Sequence, residues 1–406
     1  MRNFAAKKSH FLFTFTIMLD FKNVEIAFAS KTDTKLRKTY FLFSMMNKSW
    51  LVRLGGSVGL WAMRWRLPIA PLVRYTMFEQ FCGGEDLAGC QKTVDDLYHN
   101  QTLTILDYGA EAKTSEADFD FTMRETMRAI DLAVQNKGKI PVVTAKFTGM
   151  ARHDLLERLH ANDPLNAEEA AEYERSCGRL EAICKYALER KVGVFLDAEE
   201  SWIQQPIDDL VERLMRQYNR ERVTIYNTYQ LYLTSRLPYL YASAQRAKEG
   251  NYLLGAKLVR GAYMEKERKR AEELGYSSPV QVDKAATDAD YNAAVRFVVA
   301  NHTHINSCVA THNEASTRLQ AELMDEAGID KKHPHLNFCQ LYGMSDHLTF
   351  NLADAGYNSS KYVVYGKISD VFPYLVRRAQ ENSSISGDMS RELSFIDQEM
   401  KRRKLI

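Results

Sequence analysis

A distorted (β/α)8 barrel of the TIM type, in the α/β class and preceded by a helical region, is the architecture this sequence predicts. Three observations point to it. Beyond residue 100 the chain carries eight short apolar segments that end in polar residues, a helical stretch follows each segment, and no glycine-rich dinucleotide fingerprint follows any of them. Eight such units in about 300 residues suit a closed barrel better than a doubly wound open sheet. The connecting helices differ in length and sequence, which argues against a repeat protein.

Composition sets the frame. The chain has 406 residues, 45% hydrophobic and 26% charged, enough for one large barrel or two ordinary domains with a buried core. Its 54 basic and 52 acidic residues leave a net charge of +2, so no strong field argues for a nucleic-acid partner. Cys82, Cys90, Cys177, Cys184, Cys308 and Cys339 show neither C-x-x-C nor finger spacing and read as core thiols in a reducing compartment. His302-x-His304 and His333-x-His335 have no acidic or thiol partner at useful spacing, so no metal site is expected.

Residues 1–46 read as an N-terminal extension, expected to be partly disordered. Its first part mimics a weak signal peptide: Arg2, Lys7 and Lys8 precede an apolar run from Phe11 to Leu19, and Ala27-Phe28-Ala29 resembles a cleavage site. Asp20, Lys22 and Glu25 intervene, so secretion is discounted. Met18 is an alternative start, and a eukaryotic source would allow an organellar presequence. Residues 47–100 read as a helical region packed on the barrel, punctuated by Gly55-Gly56, Pro68 and Pro71. Within it, Trp50 to Val73 interleaves three tryptophans with Arg53, Arg64 and Arg66. That run is too charged to span a bilayer, and packing on the barrel is favoured over lying on a membrane surface.

Residues 101–406 supply the barrel. Its strands are expected at Leu103 to Tyr108, Pro141 to Phe147, Val192 to Ala198, Val223 to Tyr229, Leu254 to Arg260, Ile305 to Thr311, Leu336 to Leu341 and Tyr362 to Tyr365. Working residues of such barrels sit at the carboxyl ends of strands. Here those ends carry Asp107, Lys146, Asp197 with Glu199 and Glu200, Asn227, Lys257, Arg260, Thr311, His312, Gln340 and Tyr362.

After Gly366 a helix is expected to start at a Ser369 or Asp370 cap, with Pro373 in its first turn. Val371, Phe372, Leu375, Val376 and Ala379 make its apolar face. Tyr374, Arg377, Arg378 and Glu381 share the other face, at i, i+3, i+4 and i+7. Alone, that face reads as a solvated basic surface. Placed over a mouth rich in strand-end Lys, Asp and His, it reads as a clamp for carboxylate or phosphate. Tyr362, Tyr374 and Leu341 would add an apolar wall, so the ligand is a small organic acid with an apolar body. Lys146 and Asp197 suit mutual pairing, acid and base work, or the two ends of a zwitterion. Lys146 or Lys257 as a Schiff-base nucleophile is the competing chemistry, and redox chemistry would require a bound cofactor.

Seven segments then carry a resemblance. Ala145-Lys-Phe, Leu196-Asp-Ala-Glu-Glu-Ser201, Asn227-Thr-Tyr-Gln230, Lys257-Leu-Val-Arg-Gly-Ala-Tyr263, Ala310-Thr-His-Asn313, Gln340-Leu-Tyr-Gly-Met344 and Tyr374-Leu-Val-Arg-Arg-Ala-Gln-Glu-Asn382 resemble, in order, motifs of the FAD-dependent proline dehydrogenase family. The likeness covers about residues 100 to 385. It implies FAD held non-covalently over the strand ends and oxidation of L-proline to Δ1-pyrroline-5-carboxylate, the first step of proline catabolism. Arg377, Arg378 and Lys146 would clamp the substrate carboxylate, with Tyr362, Tyr374 and Leu341 around its ring. Asp197 would be the catalytic aspartate, helping to fix Arg377 or Lys146, and Lys257 the catalytic cation beside the reactive edge of the flavin. Ala198, Asn227, Arg260, Gly261, Ala262, Thr311, His312 and Glu381 would complete the cofactor contacts.

Two departures from the bacterial bifunctional pattern, Lys257 and Arg260 in exchanged order and Asn227 in place of Gln, resemble the mitochondrial monofunctional branch. Lys257 and Arg260 have opposite parity on a strand, so which of them faces the flavin stays open. The resemblance further implies quinone or a membrane electron-transport chain as acceptor, peripheral membrane contact, and a separate pyrroline-5-carboxylate dehydrogenase downstream. The implied location is the cytoplasm or inner-membrane surface of a bacterium, or the mitochondrion of a eukaryote. Hydroxyproline oxidation on the same scaffold, a Schiff-base aldolase and a non-catalytic amino-acid-binding barrel are the alternatives.

Overall fold

Eight parallel strands close into a barrel in the computed structural model, which describes residues 19–48, 50, 52, 54–56, 58–59, 65, 69–109, 114–384 and 388–406. A short strand β1 (Cys82–Gly84) lies outside the ring. The ring itself is β2 (Leu103–Tyr108), β3 (Val142–Ala145), β4 (Gly193–Leu196), β5 (Ile225–Gln230), β6 (Leu254–Val259), β7 (Ile305–Ala310), β8 (Leu336–Leu341) and β9 (Ser359–Tyr365). Neighbours pair in sequence order, and β9 closes the ring by pairing with β8 and β2. β8 stops opposite Tyr362, and β1 takes over that edge of β9 at Val364 and Tyr365.

Each expected strand forms, with small shifts at its ends. β9 begins three residues before its apolar run because long-range partners satisfy its polar start. Ser359 Oγ donates to the Thr349 carbonyl at 2.9 Å, Ser360 Oγ to the Phe338 carbonyl at 2.8 Å, and Lys361 Nζ lies 2.9 Å from Asp346.

The outer layer follows from helix periodicity. In the Ala167–Arg190 helix, Ser176, Cys177, Leu180, Ile183, Cys184 and Ala187 recur at helical spacing and are buried. Asn166 and Glu169 form a capping box at its start, and Lys191 in the left-handed region ends it. Leu180 is fully buried, and truncating it to alanine would cost about 2–5 kcal/mol. Strand alternation sends Val194 and Leu196 into this layer, while Phe195 joins the barrel interior with Ile105, Val142 and Tyr226. All six cysteines are buried and free, as their spacing predicts.

Residues 24–46 form two helices, Val24–Phe28 and Asp33–Met46, docked on the C-terminal helix Asp388–Arg402. Arg403 ties that end down by donating to the carbonyls of Lys31 (2.7 Å) and Phe28 (2.8 Å). The segment before β1 reaches the turn after β8 through Gln80, whose Nε2 donates to the Gly343 carbonyl at 2.7 Å. At Gly343, φ is +80° and an added Cβ would lie 1.9 Å from the Gln80 carbonyl oxygen, so glycine is required there. The Trp50 to Val73 run lies largely outside the described residues; Trp50, Leu54, Val58 and Trp65 within it are exposed. Among the described residues, no helix is long and apolar enough to cross a membrane.

One expectation is corrected. The last barrel helix spans Ile368–Ser384, with Asp370 and Val371 N–H groups already bonded to the Lys367 carbonyl, so Pro373 falls in its second turn. The ring deprives the Ser369 carbonyl of its helical donor. Ser369 and Pro373 are both exposed, however, so that carbonyl stays open to solvent.

Candidate active site

Asp197, immediately after β4, is the hub of the carboxyl-terminal mouth. Its Oδ1 accepts from Lys257 Nζ at 2.6 Å, its Oδ2 accepts from the Tyr362 hydroxyl at 2.6 Å, and Lys146 Nζ stands 3.7 Å away. Lys146 is shared with Asp107, at 2.9 and 3.0 Å, and Thr144 donates to the same carboxylate at 2.5 Å. Two carboxylates and two ammonium groups thus alternate across β2, β3, β4 and β6. Burying any one of them alone would be costly; together they compensate.

Burial pushes the Asp197 carboxyl upward, but the ammonium groups of Lys257 and Lys146 outweigh it and hold Asp197 below the usual carboxylate range. Asp197 is therefore an anion that orders its neighbours rather than a base waiting for a proton. Burial, with Asp107 and Asp197 nearby, pushes the Tyr362 hydroxyl far upward, so it remains a donor. Lys257 Nζ also sits 4.6 Å from the Tyr362 ring centroid. Both candidate Schiff-base lysines are engaged by carboxylates, the opposite of the apolar setting that frees such a lysine.

Parity separates Lys257 from Arg260. Lys257 points into the mouth, whereas Arg260 turns outward to Asp288 (2.8 Å), Thr311 Oγ1 (2.7 Å) and Ser316 Oγ (3.0 Å). This brings Arg260 and Thr311 to the amino end of the Glu314–Glu326 helix, capped by Asn313. A guanidinium beside a helix N-terminus is a setting for phosphate. Next to it, Gly261 and Ala262 are exposed, and Gly261 has φ +133° with its missing Cβ position 1.8 Å from the Tyr232 ring. His312 is half-buried, its Nδ1 is 2.8 Å from Ser345 Oγ, and desolvation with Lys361 and Arg378 lowers its pKa to about 3, so its imidazole is neutral. Ala198 is half-buried beside Asp197.

Leu341 pairs in register with Tyr362, and both pack in one apolar cluster with Tyr374. Arg378 is buried, 5.2 Å from the Tyr374 ring centroid; Arg377 is half-buried. One expected contact falls elsewhere. Asn227 faces the helix layer, where its Nδ2 donates to Asp208 at 2.8 Å within a buried network with Arg236 and Gln204. Glu381 lies outside the described side chains.

Asp107 and Glu199 stood among the strand-end residues without a role. Asp107 holds Lys146, as above. Glu199 accepts from the Thr148 N–H at 3.0 Å and the Thr148 hydroxyl at 2.5 Å, and burial raises its carboxyl to about 7.

Residues 90–391 match the family described as Proline dehydrogenase. The mitochondrial proline dehydrogenase 1 of Arabidopsis thaliana is 32% identical over 396 residues, covering 85% of this chain and 79% of the relative. The hydroxyproline dehydrogenase of Xenopus laevis is 31% identical over 363 residues, covering 81% and 78%. Among solved structures, proline utilization A from Bdellovibrio bacteriovorus, inactivated by N-propargylglycine, is similar in fold with a TM-score of 0.70 at 20% identity. That match covers 89% of this chain but only 38% of the larger protein.

Proposed function

We propose that this chain, which belongs to the proline dehydrogenase family, oxidises L-proline to Δ1-pyrroline-5-carboxylate with FAD as cofactor. The family is flavin-dependent, and the residues present fit a flavin dinucleotide. Arg260, Thr311, Gly261 and Ala262 would hold its phosphate-bearing part at the helix N-terminus, and Lys257 would stand beside its ring. When bound, the flavin accepts the hydride and so supplies the redox chemistry that side chains lack.

The rest is done by this chain's own side chains. Arg377 and Arg378, joined by Lys146, bind the substrate carboxylate, and Tyr362, Tyr374 and Leu341 enclose the ring, so the reacting carbon is held in one orientation. Asp197 stays ionised and fixes Lys257, Lys146 and Tyr362 at once. The observation that carries the reading is this Asp197 hub.

Quinone of a membrane electron-transport chain is the proposed acceptor, with the product passing to a separate dehydrogenase. The proposed location is the mitochondrion for a eukaryotic source, and the cytoplasm or inner-membrane surface for a bacterial one. Purified protein should be yellow, and anaerobic L-proline should bleach its flavin bands; colourless protein that takes up no FAD overturns the reading.

The hydroxyproline dehydrogenase relative supports a second reading. Tyr362 weighs against it, because its hydroxyl is already committed to Asp197 and its ring would crowd a substituted pyrrolidine. Comparing kcat/KM for proline and hydroxyproline decides between them.

A further inference from the structure

At the end of the barrel opposite the Asp197 hub, a cavity of about 370 Å³ opens among the amino-terminal ends of the strands. Barrel interiors are ordinarily filled by layers of branched aliphatic side chains. Here Gly193, Asn306, Asn337 and Ser360 line the space instead, and their short side chains leave it open. The deep wall is apolar and includes Ile105, Phe195 and Tyr226, the two rings packed edge to face with centroids 4.9 Å apart.

The rim has a definite hydrogen-bonding sense. Asn337 Nδ2 donates to the Pro334 and Ser307 carbonyls, each at 3.2 Å, and Asn358 Nδ2 donates to the His333 carbonyl at 2.8 Å. His335 Nδ1 meets the His302 carbonyl at 2.8 Å, which places the lone pair on Nε2. What remains on the rim, among the described residues, is three acceptors, the Asn337 and Asn358 amide oxygens and His335 Nε2, beside the second Nδ2 hydrogen of Asn306, whose first goes to the Pro334 carbonyl at 3.2 Å. Arg222 adds a guanidinium, of which one Nη2 hydrogen goes to the Lys191 carbonyl at 2.9 Å. Among the described residues the lining has no carboxylate.

We propose that this cavity is a second ligand site, for a free α-amino acid with a branched apolar side chain. The ammonium meets the amide oxygens, the carboxylate meets Arg222, and the side chain lies against Phe195 and Tyr226. The volume, near the lower bound of about 300 Å³ for ligand pockets, admits one such molecule and excludes nucleotides. Phe195 also forms the floor under Lys257, whose Nζ is 5.5 Å from its ring centroid, so one ring separates the occupant from the Asp197–Lys257 pair.

Equilibrium dialysis of the full chain against radiolabelled L-leucine tests this. A single saturable site is expected, weakened about tenfold or more by Arg222→Ala, which removes a charge-assisted contact far from the catalytic mouth. In competition, 4-methylpentanoate and 3-methylbutylamine, each lacking one charged end, should be weaker than leucine by a similar factor. Arg377→Ala should leave leucine binding unchanged. No saturable binding up to about 10 mM, or wild-type affinity in Arg222→Ala, overturns the proposal. Loss of binding in Arg377→Ala would place leucine in the carboxylate clamp and overturn it equally.

Discussion

The Tyr362 hydroxyl on β9 donates to Asp197 Oδ2 after β4 at 2.6 Å, linking two strands that are not neighbours across the barrel mouth. Tyr362→Phe removes that single bond and keeps the ring. It should lower kcat/KM for proline by about tenfold to a hundredfold, as expected for a hydrogen bond to an ionised carboxylate of about 1.5–3 kcal/mol. Asp197→Ala should be far worse, because it strands the Lys257 ammonium; a loss of about 3–5 kcal/mol in transition-state stabilisation or stability is expected. Equal effects in the two variants would mean that Asp197 does not organise Lys257.

Arg377→Ala and Arg378→Ala should each raise KM for proline by about tenfold to a hundredfold, since a charge-assisted carboxylate contact contributes about 1.5–3 kcal/mol. Flavin content should not change. Steady-state kinetics with flavin quantified by absorbance checks both halves, and an unchanged KM in either variant removes that arginine from the clamp.

The opposite orientations of Lys257 and Arg260 separate two functions that the sequence alone leaves entangled. Lys257→Met should retain flavin and slow its reduction by proline, by about a hundredfold if one preorganised charge contributes about 2.7 kcal/mol. Arg260→Met should instead release flavin on dialysis, because it removes the guanidinium beside the Glu314–Glu326 helix terminus. Stopped-flow reduction and flavin retention together check this; the reverse pattern would exchange the two roles.

Much of this geometry is legible in the sequence, and what is not has physical causes. Short apolar runs between helices marked every barrel strand because a buried parallel sheet demands them. The polar start of β9 was not visible, since Ser359, Ser360 and Lys361 are satisfied by Thr349, Phe338 and Asp346, none of which is marked as a partner by local pattern. Asn227 reads as a strand-end site residue only while strand parity is ignored. Tyr226 packs inward on Phe195, so Asn227 must face the helices. Asp107 was seen as a strand end, but its hold on Lys146 depends on the separation of β2 and β3 side chains, which no spacing in the sequence gives.

Stability depends on pH through a buried carboxyl of the C-terminal helix. Glu392 on that helix is buried beside Asp346 and accepts the Ser345 N–H at 3.1 Å; burial, then Asp346, raises its carboxyl to about 7 against an ordinary 4.5. A carboxyl raised on folding binds more protons in the folded than in the unfolded state between those two values. Stability therefore falls as pH rises from about 4.5 towards about 7, and stays lower above. Asp346, held below the usual range by Lys361 and Lys31 against its burial, acts in the opposite sense, losing its contribution only as pH falls well below 4. Glu392→Gln removes the first effect and spares the second. It should raise stability at pH 8 by about 2–3 kcal/mol relative to wild type, and change it little at pH 5. Denaturant melts at the two pH values check the sign: a variant equally stabilised at both, or more so at pH 5, would show that Glu392 is ionised in the folded protein across the whole range.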